Sequence, residues 1–176
     1  IIKELFKKSN IKCGVSFCPE RVAQGKSIEE IYELPQLISS DSLSTQKKVN
    51  KLFKKFNKNI INETFKEAEL AKLFSNAWRN IKFSVANQFY MFSTEKEINF
   101  NNVRNAMIKD YPRNKDFPEP GFTAGPCLVK DTLQTSAYNL NHNSLLLDSV
   151  RINESLPSFL VSKLKNIIEI KKINIG

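Results

Sequence analysis

The sequence predicts an α/β segment followed by a mainly helical one, and three observations carry that prediction. Between Ile11 and Asn62, short apolar pieces bounded by turn residues flank one amphipathic helix; strand, helix and strand with short links is α/β texture. From Asn62 no Gly or Pro occurs until Pro112, and apolar residues recur there at helical spacing. Beyond Pro112 an irregular stretch containing Pro and Gly leads to Cys127, after which helical patterns resume.

Taken in order, residues 1–10 read as the end of a helix. Ile11 to Phe17 alternate enough for a short strand, which Pro19 stops. Ser27 to Leu34 predicts a helical turn around Ile28 and Ile31, and Gln36 to Ser39 a short strand ending in a Ser-Ser-Asp turn. Ser42 or Ser44 is placed to cap a basic helix running to Phe56, with Val49, Leu52, Phe53 and Phe56 on one face and lysines on the other. Asn59 to Asn62 is another strand. Phe65, Ala68, Leu73, Ala77, Ile81, Val85 and Phe89 then mark a long helix. It breaks near Ser93 to Glu97 and resumes through Val103, Met107 and Ile108. A helix opens at Pro126 and runs to Tyr138, and another covers Leu145 to Val161, with Pro157 as a kink or a new start. Ile168 to Gly176 alternates Ile with polar residues, as a strand does.

At 176 residues the chain has room for one ordinary domain or pieces of two. It starts without Met, and is read as part of something longer. No window approaches the apolar run of a membrane span, and the amphipathic N-terminus lacks the apolar core of a signal peptide. Three cysteines (Cys13, Cys18, Cys127) and a single His142 show no zinc-type spacing, so the reading is a reduced, cytoplasmic protein without a metal. The net charge of +9 invites a nucleic-acid partner, but the lysines are scattered and no aromatic-plus-glycine motif accompanies them, so none is expected.

Gly121 to Thr132 is the stretch with the most chemistry. Pro126 suits the first position of a helix, because its missing N–H has no partner there in any case. Cys127 then meets free backbone N–H groups and the positive end of the helix dipole, an environment that favours the nucleophilic thiolate. Asp131 falls one turn later on the same face, beside Lys130. A buried small cysteine next to an ordinary cap is the alternative. On the long helix Lys72, Asn76 and Asn80 recur every four residues. Such a line either holds a developing oxyanion or forms a solvated polar edge. Glu20 and Arg21 follow a strand, where α/β folds place ligand-binding groups, and fit a surface turn equally.

The ordered set Pro19-Glu20-Arg21-Val22, Glu63-Thr64, Glu69-Leu70-Ala71-Lys72-Leu73-Phe74-Ser75-Asn76-Ala77, Gly121 to Thr132 and Asn153-Glu154-Ser155-Leu156-Pro157 resembles the UDP-glucose/GDP-mannose dehydrogenase family, the nucleotide-sugar 6-dehydrogenases. The resemblance runs over nearly the whole chain. It implies the end of an N-terminal Rossmann-type NAD-binding domain in residues 1–60 and a helical, 6-phosphogluconate-dehydrogenase-like central dimerisation domain in 61–153. It further implies a connecting helix and the first strand of a nucleotide-sugar-binding domain in 154–176. The Gly-rich dinucleotide fingerprint of the first domain is absent from this chain.

The implied reaction oxidises the C6 alcohol of a UDP-hexose or UDP-N-acetylhexosamine to the uronate with NAD, in a homodimer formed through the central helices. By the same resemblance Cys127 is the nucleophile that forms a thiohemiacetal and then a thioester. Lys72 and Asn76 hold the reacting oxygen, Asp131 works with the catalytic water, and Glu20 contributes acid–base work. Arg21, Phe122, Arg113 and Gly125 are implied in substrate binding and Lys130 in cofactor binding. Two departures from the family pattern, Thr123-Ala124-Gly125-Pro126 before the cysteine and Gln24 in the early loop, leave room for an N-acetylated sugar.

Overall fold

The computed structural model describes residues 2–23, 25–123, 125–138 and 144–167. Gln24, Ala124, His142 and the strand expected at Ile168 to Gly176 lie outside the described residues. The chain divides into two compact units, Ile1–Lys72 and Leu73–Gly176.

The first unit contains α1 (Ile2–Lys8), β1 (Ser16–Phe17), α2 (Ser27–Glu33), β2 (Gln36–Ser40), α3 (Leu43–Phe53) and β3 (Ile60–Asn62). It also holds the first turns of α4 (Phe65–Glu95). β2 is the central strand, and Gln36, Leu37, Ile38 and Ser39 are all buried. It pairs in parallel with β3 (Gln36 opposite Ile60, Ile38 opposite Asn62) and antiparallel with β1 (Ser16 opposite Ser40). Since parallel strands need a crossover, α3 serves as one, and β2–α3–β3 is the expected α/β piece.

β1 is shorter than the seven-residue alternation predicted, and the Asp41 side chain, just before α3, takes the backbone N–H that precedes it. The Val15 N–H donates to Asp41 Oδ2 (3.1 Å), and a Cβ on Gly14 would lie 2.1 Å from Thr45 Oγ1. Ser42, not Ser44, caps α3 by accepting from the Thr45 N–H. α3 ends three residues before Phe56. Beyond it the buried Asn57 donates to the carbonyls of Ile31 and Leu34, tying this turn to the end of α2.

Thr64 and Glu67 cap α4 reciprocally: the Thr64 N–H donates to Glu67 Oε2 (2.9 Å) and the Glu67 N–H to Thr64 Oγ1 (3.4 Å). In the second unit α4 continues to Glu95. Glu97 takes φ 58°, and Asn99 caps α5 (Phe100–Ile108). A 3-10 turn (Pro112–Asn114), α6 (Pro126–Ala137) and α7 (Leu145–Ile167) follow. Leu73, Ala77, Ala86, Phe100, Leu128, Val150 and Leu156 form its buried apolar core. Pro157 does not begin a new helix. α7 runs through it, because buried Asn153 and Leu156 fix the preceding turn by packing. The structure is thus mostly helical with one small three-stranded sheet. Among the described residues no helix is long and apolar enough to cross a membrane.

Candidate active site

α6 presents the reactive groups. Gly125 precedes it with φ 75° and ψ 165°, and no side chain caps the helix, so its first N–H groups are left to the loop. Pro126 opens the helix, and Cys127, in the first turn, is exposed. Exposure sets aside the reading of Cys127 as a buried small residue. One turn on, Asp131 is 1% exposed. Its Oδ2 accepts from Asn76 Nδ2 at 2.6 Å, and Lys130 Nζ stands 3.4 Å from its Oδ1. A carboxylate buried to this degree is tolerated only with such partners. Asn76 therefore fixes the aim of the carboxylate that lies on the cysteine's side of α6.

The polar line on α4 is not a solvated edge. Asn80 is fully buried and donates to Ser149 Oγ on α7 (2.8 Å), and Asn76 is half-buried against Asp131. Lys72, half-buried, stands one turn before Asn76 on the same helix and is the last residue of the first unit. In that unit Pro19 is buried and Glu20 exposed. The Glu20 carboxylate turns back onto its own loop, where Oε1 accepts from the N–H groups of Arg21 (2.6 Å) and Val22 (2.8 Å). The Arg21 guanidinium donates to the Pro35 carbonyl. Phe122 and Arg113 are exposed. The Arg113 guanidinium lies over the Tyr111 ring and lines a cavity with Trp78, Lys82, Asp116 and Phe117.

Sequence reasoning missed the residues that hold the loop before Cys127. The fully buried Asn87 accepts the Gly121 N–H (2.8 Å) and donates to the Gly121 carbonyl (3.0 Å). Arg104 on α5 donates to the carbonyls of Phe117 and Pro118 (3.1 and 3.2 Å), and Phe117 stacks on Phe89. Asn87 stands two turns after Asn80 on α4; that spacing was the only signal available. Among the described residues no group of His, Cys, Asp and Glu is arranged to hold a metal. Lys130 is an exposed cation beside Asp131, and it is the group here that could meet an anionic cofactor.

Residues 66–155 match the central domain of the UDP-glucose/GDP-mannose dehydrogenase family. The chain is 30% identical over 171 residues to a UDP-N-acetyl-D-mannosamine dehydrogenase of Methanocaldococcus jannaschii, covering 96% of this chain and 39% of that protein. It is 29% identical over 183 residues to a UDP-glucose 6-dehydrogenase of Campylobacter jejuni, covering 98% of this chain and 45% of that one. A solved UDP-D-ManNAc dehydrogenase from Pyrococcus horikoshii superposes with a TM-score of 0.83 at 25% identity, over 95% of this chain and 41% of that structure. The chain spans about two fifths of the length of the relatives it matches.

Proposed function

We propose, on the premise that this chain belongs to the UDP-glucose/GDP-mannose dehydrogenase family, that it forms part of an NAD-dependent nucleotide-sugar 6-dehydrogenase whose thiol nucleophile is Cys127. The observation that carries this reading is the Asn76–Asp131 hydrogen bond. It ties Asn76 to the helix that carries Cys127, and so supports Asn76, Asp131 and Cys127 acting as one site.

NAD, when bound, would supply the hydride acceptor for the two oxidations at C6. This chain's residues do the remaining work. The Cys127 thiolate adds to the C6 aldehyde, forming a C–S bond and an alkoxide. The Lys72 ammonium and the Asn76 amide stabilise that oxygen electrostatically. After the second oxidation the C6 thioester is attacked by water, which Asp131 deprotonates; the C–S bond breaks, releasing the uronate and regenerating the thiol. Lys130 offers the cofactor a cation. The described residues include no glycine-rich phosphate turn.

An N-acetylhexosamine is the sugar favoured, supported by the relatives named for UDP-N-acetyl-D-mannosamine. A second copy of the chain is the proposed occupant of the exposed apolar face of α4, where Phe74, Trp78 and Phe92 are each more than half exposed. The test is NADH formation by the full-length enzyme with UDP-N-acetylmannosamine and with UDP-glucose, for the parent and Cys127→Ala. Two NADH per sugar, abolished by Cys127→Ala, is the expected result. Full turnover by Cys127→Ala would remove the thiol from the mechanism, and no NADH from either sugar would remove the activity.

A further inference from the structure

Asn87 makes three hydrogen bonds from a position with no exposed surface. Besides gripping both polar groups of the Gly121 backbone, its Nδ2 donates to Asn153 Oδ1 (2.9 Å). Asn153 Nδ2 donates to the Asn80 carbonyl and to Asn80 Oδ1 (both 3.0 Å). Asn80 Nδ2 donates to Ser149 Oγ, which donates to the Leu146 carbonyl (2.7 Å). The donors all run one way, from the Gly121 N–H through Asn87, Asn153, Asn80 and Ser149 to the backbone of α7. Only one orientation of each amide satisfies the chain, and such chains polarise their members cooperatively. The Asn87 amide is therefore locked, and an amide locked against both the N–H and the C=O of one residue fixes that residue's place and rotation.

Gly121 is a revealing target for such a grip. It follows Pro118 and Pro120, which have no N–H to give, so the backbone between them offers few other handles. Six residues further on stands Cys127. The Asn76–Asp131 bond holds α6 one turn beyond the thiol. The loop that delivers the thiol is thus fixed at its entrance by Asn87 and at its exit by Asn76, both from α4.

We propose that Asn87 is a positioning residue for Cys127: its two-point grip on Gly121 sets where the loop places the thiol at the start of α6. The proposal rests on the role of Cys127 given above. Asn87 touches neither thiol nor substrate, so its loss acts on catalysis through geometry. Since Cys127 is already exposed, loosening the loop cannot improve access by much. It lets the first turn of α6 fray, and with it the uncapped N–H groups beside the thiol.

The experiment uses the full-length enzyme, with iodoacetamide labelling read at the Cys127 peptide by mass spectrometry. Asn87→Ala is compared with Asn57→Ala, a control that removes another buried, backbone-gripping asparagine. Asn87→Ala is expected to slow alkylation about fivefold or more and to lower kcat roughly ten- to a hundredfold, with KM for the nucleotide sugar within about twofold. Asn57→Ala is expected to leave all three within about twofold of the parent. Parent-like alkylation in Asn87→Ala, or an equal loss in Asn57→Ala, would overturn the proposal. Where Asn87→Ala does not fold, Asn87→Asp, which keeps the acceptor for the Gly121 N–H and gives up both donors, is read by the same criteria. Alkylation needs no turnover, so a parent enzyme inactive on every UDP-sugar would sink the dehydrogenase reading while the labelling rates still decide the role of Asn87.

Discussion

Asn76 on α4 donates to Asp131 on α6 across 55 residues of sequence, at 2.6 Å and onto a carboxylate that is 1% exposed. A short bond to a charged acceptor is among the stronger neutral-donor hydrogen bonds, and deleting one partner leaves the other desolvated. A double-mutant cycle with Asn76→Ala and Asp131→Ala is expected to give a coupling of about 1.5–3 kcal/mol in urea unfolding. Additive losses would mean that the contact contributes nothing specific.

Gly125 offers a test of the loop's backbone. Its φ of 75° and ψ of 165° lie in a region open essentially to glycine, and a Cβ there would meet nothing within 4 Å. Gly125→Ala is therefore a conformational cost without a clash, about 1–3 kcal/mol. Gly121→Ala also meets nothing within 4 Å and needs no positive φ, so it is expected to stay within about 0.5 kcal/mol of the parent. Thermal unfolding of the two variants separates them; equal losses would place the strain elsewhere.

The parts of the fold legible in the sequence were those set by local pattern. The apolar period of α4, a serine cap for α3, the Pro126 start and the β2–α3–β3 alternation all depend on residues a few positions apart. What escaped depends on distant partners. Asn80 reads as a polar position on a helix face, and only the fold supplies Ser149, 69 residues away, to satisfy it in the interior. Asn87 carried no chemical signature, since its value lies in gripping a backbone 34 residues on. Pro157 shows the converse: a valid local rule yields when buried neighbours hold the helix together.

Cys18 should behave unlike the other two thiols. Burial pushes its thiol up from the ordinary range, whereas Cys13 and Cys127 are exposed. A raised value means less thiolate at any given pH, and thiolate is the reacting form. At pH 8, about half a unit below the ordinary thiol value, Cys18 is expected to label last with iodoacetamide by peptide mass spectrometry. Labelling of Cys18 ahead of Cys13 would contradict the burial seen here.

Lys82 and Asp116 give the pH dependence a sign. The Lys82 ammonium donates to Asp116 Oδ2 at 2.9 Å and, with its charge, holds that carboxyl below the usual carboxylate range. A depressed folded value means that the unfolded chain takes up the proton first as pH falls. The pair's contribution is therefore present above about pH 4, the unfolded carboxyl value, and is lost as pH drops through the lower folded one. Because Asp116 is largely exposed, the contribution is small and weakens with salt. Carboxyl NMR titration should show the Asp116 midpoint rising in Lys82→Met at low ionic strength, and the gap between variants narrowing in 1 M salt. An unchanged midpoint in Lys82→Met would mean that the ammonium is not what holds the carboxyl down.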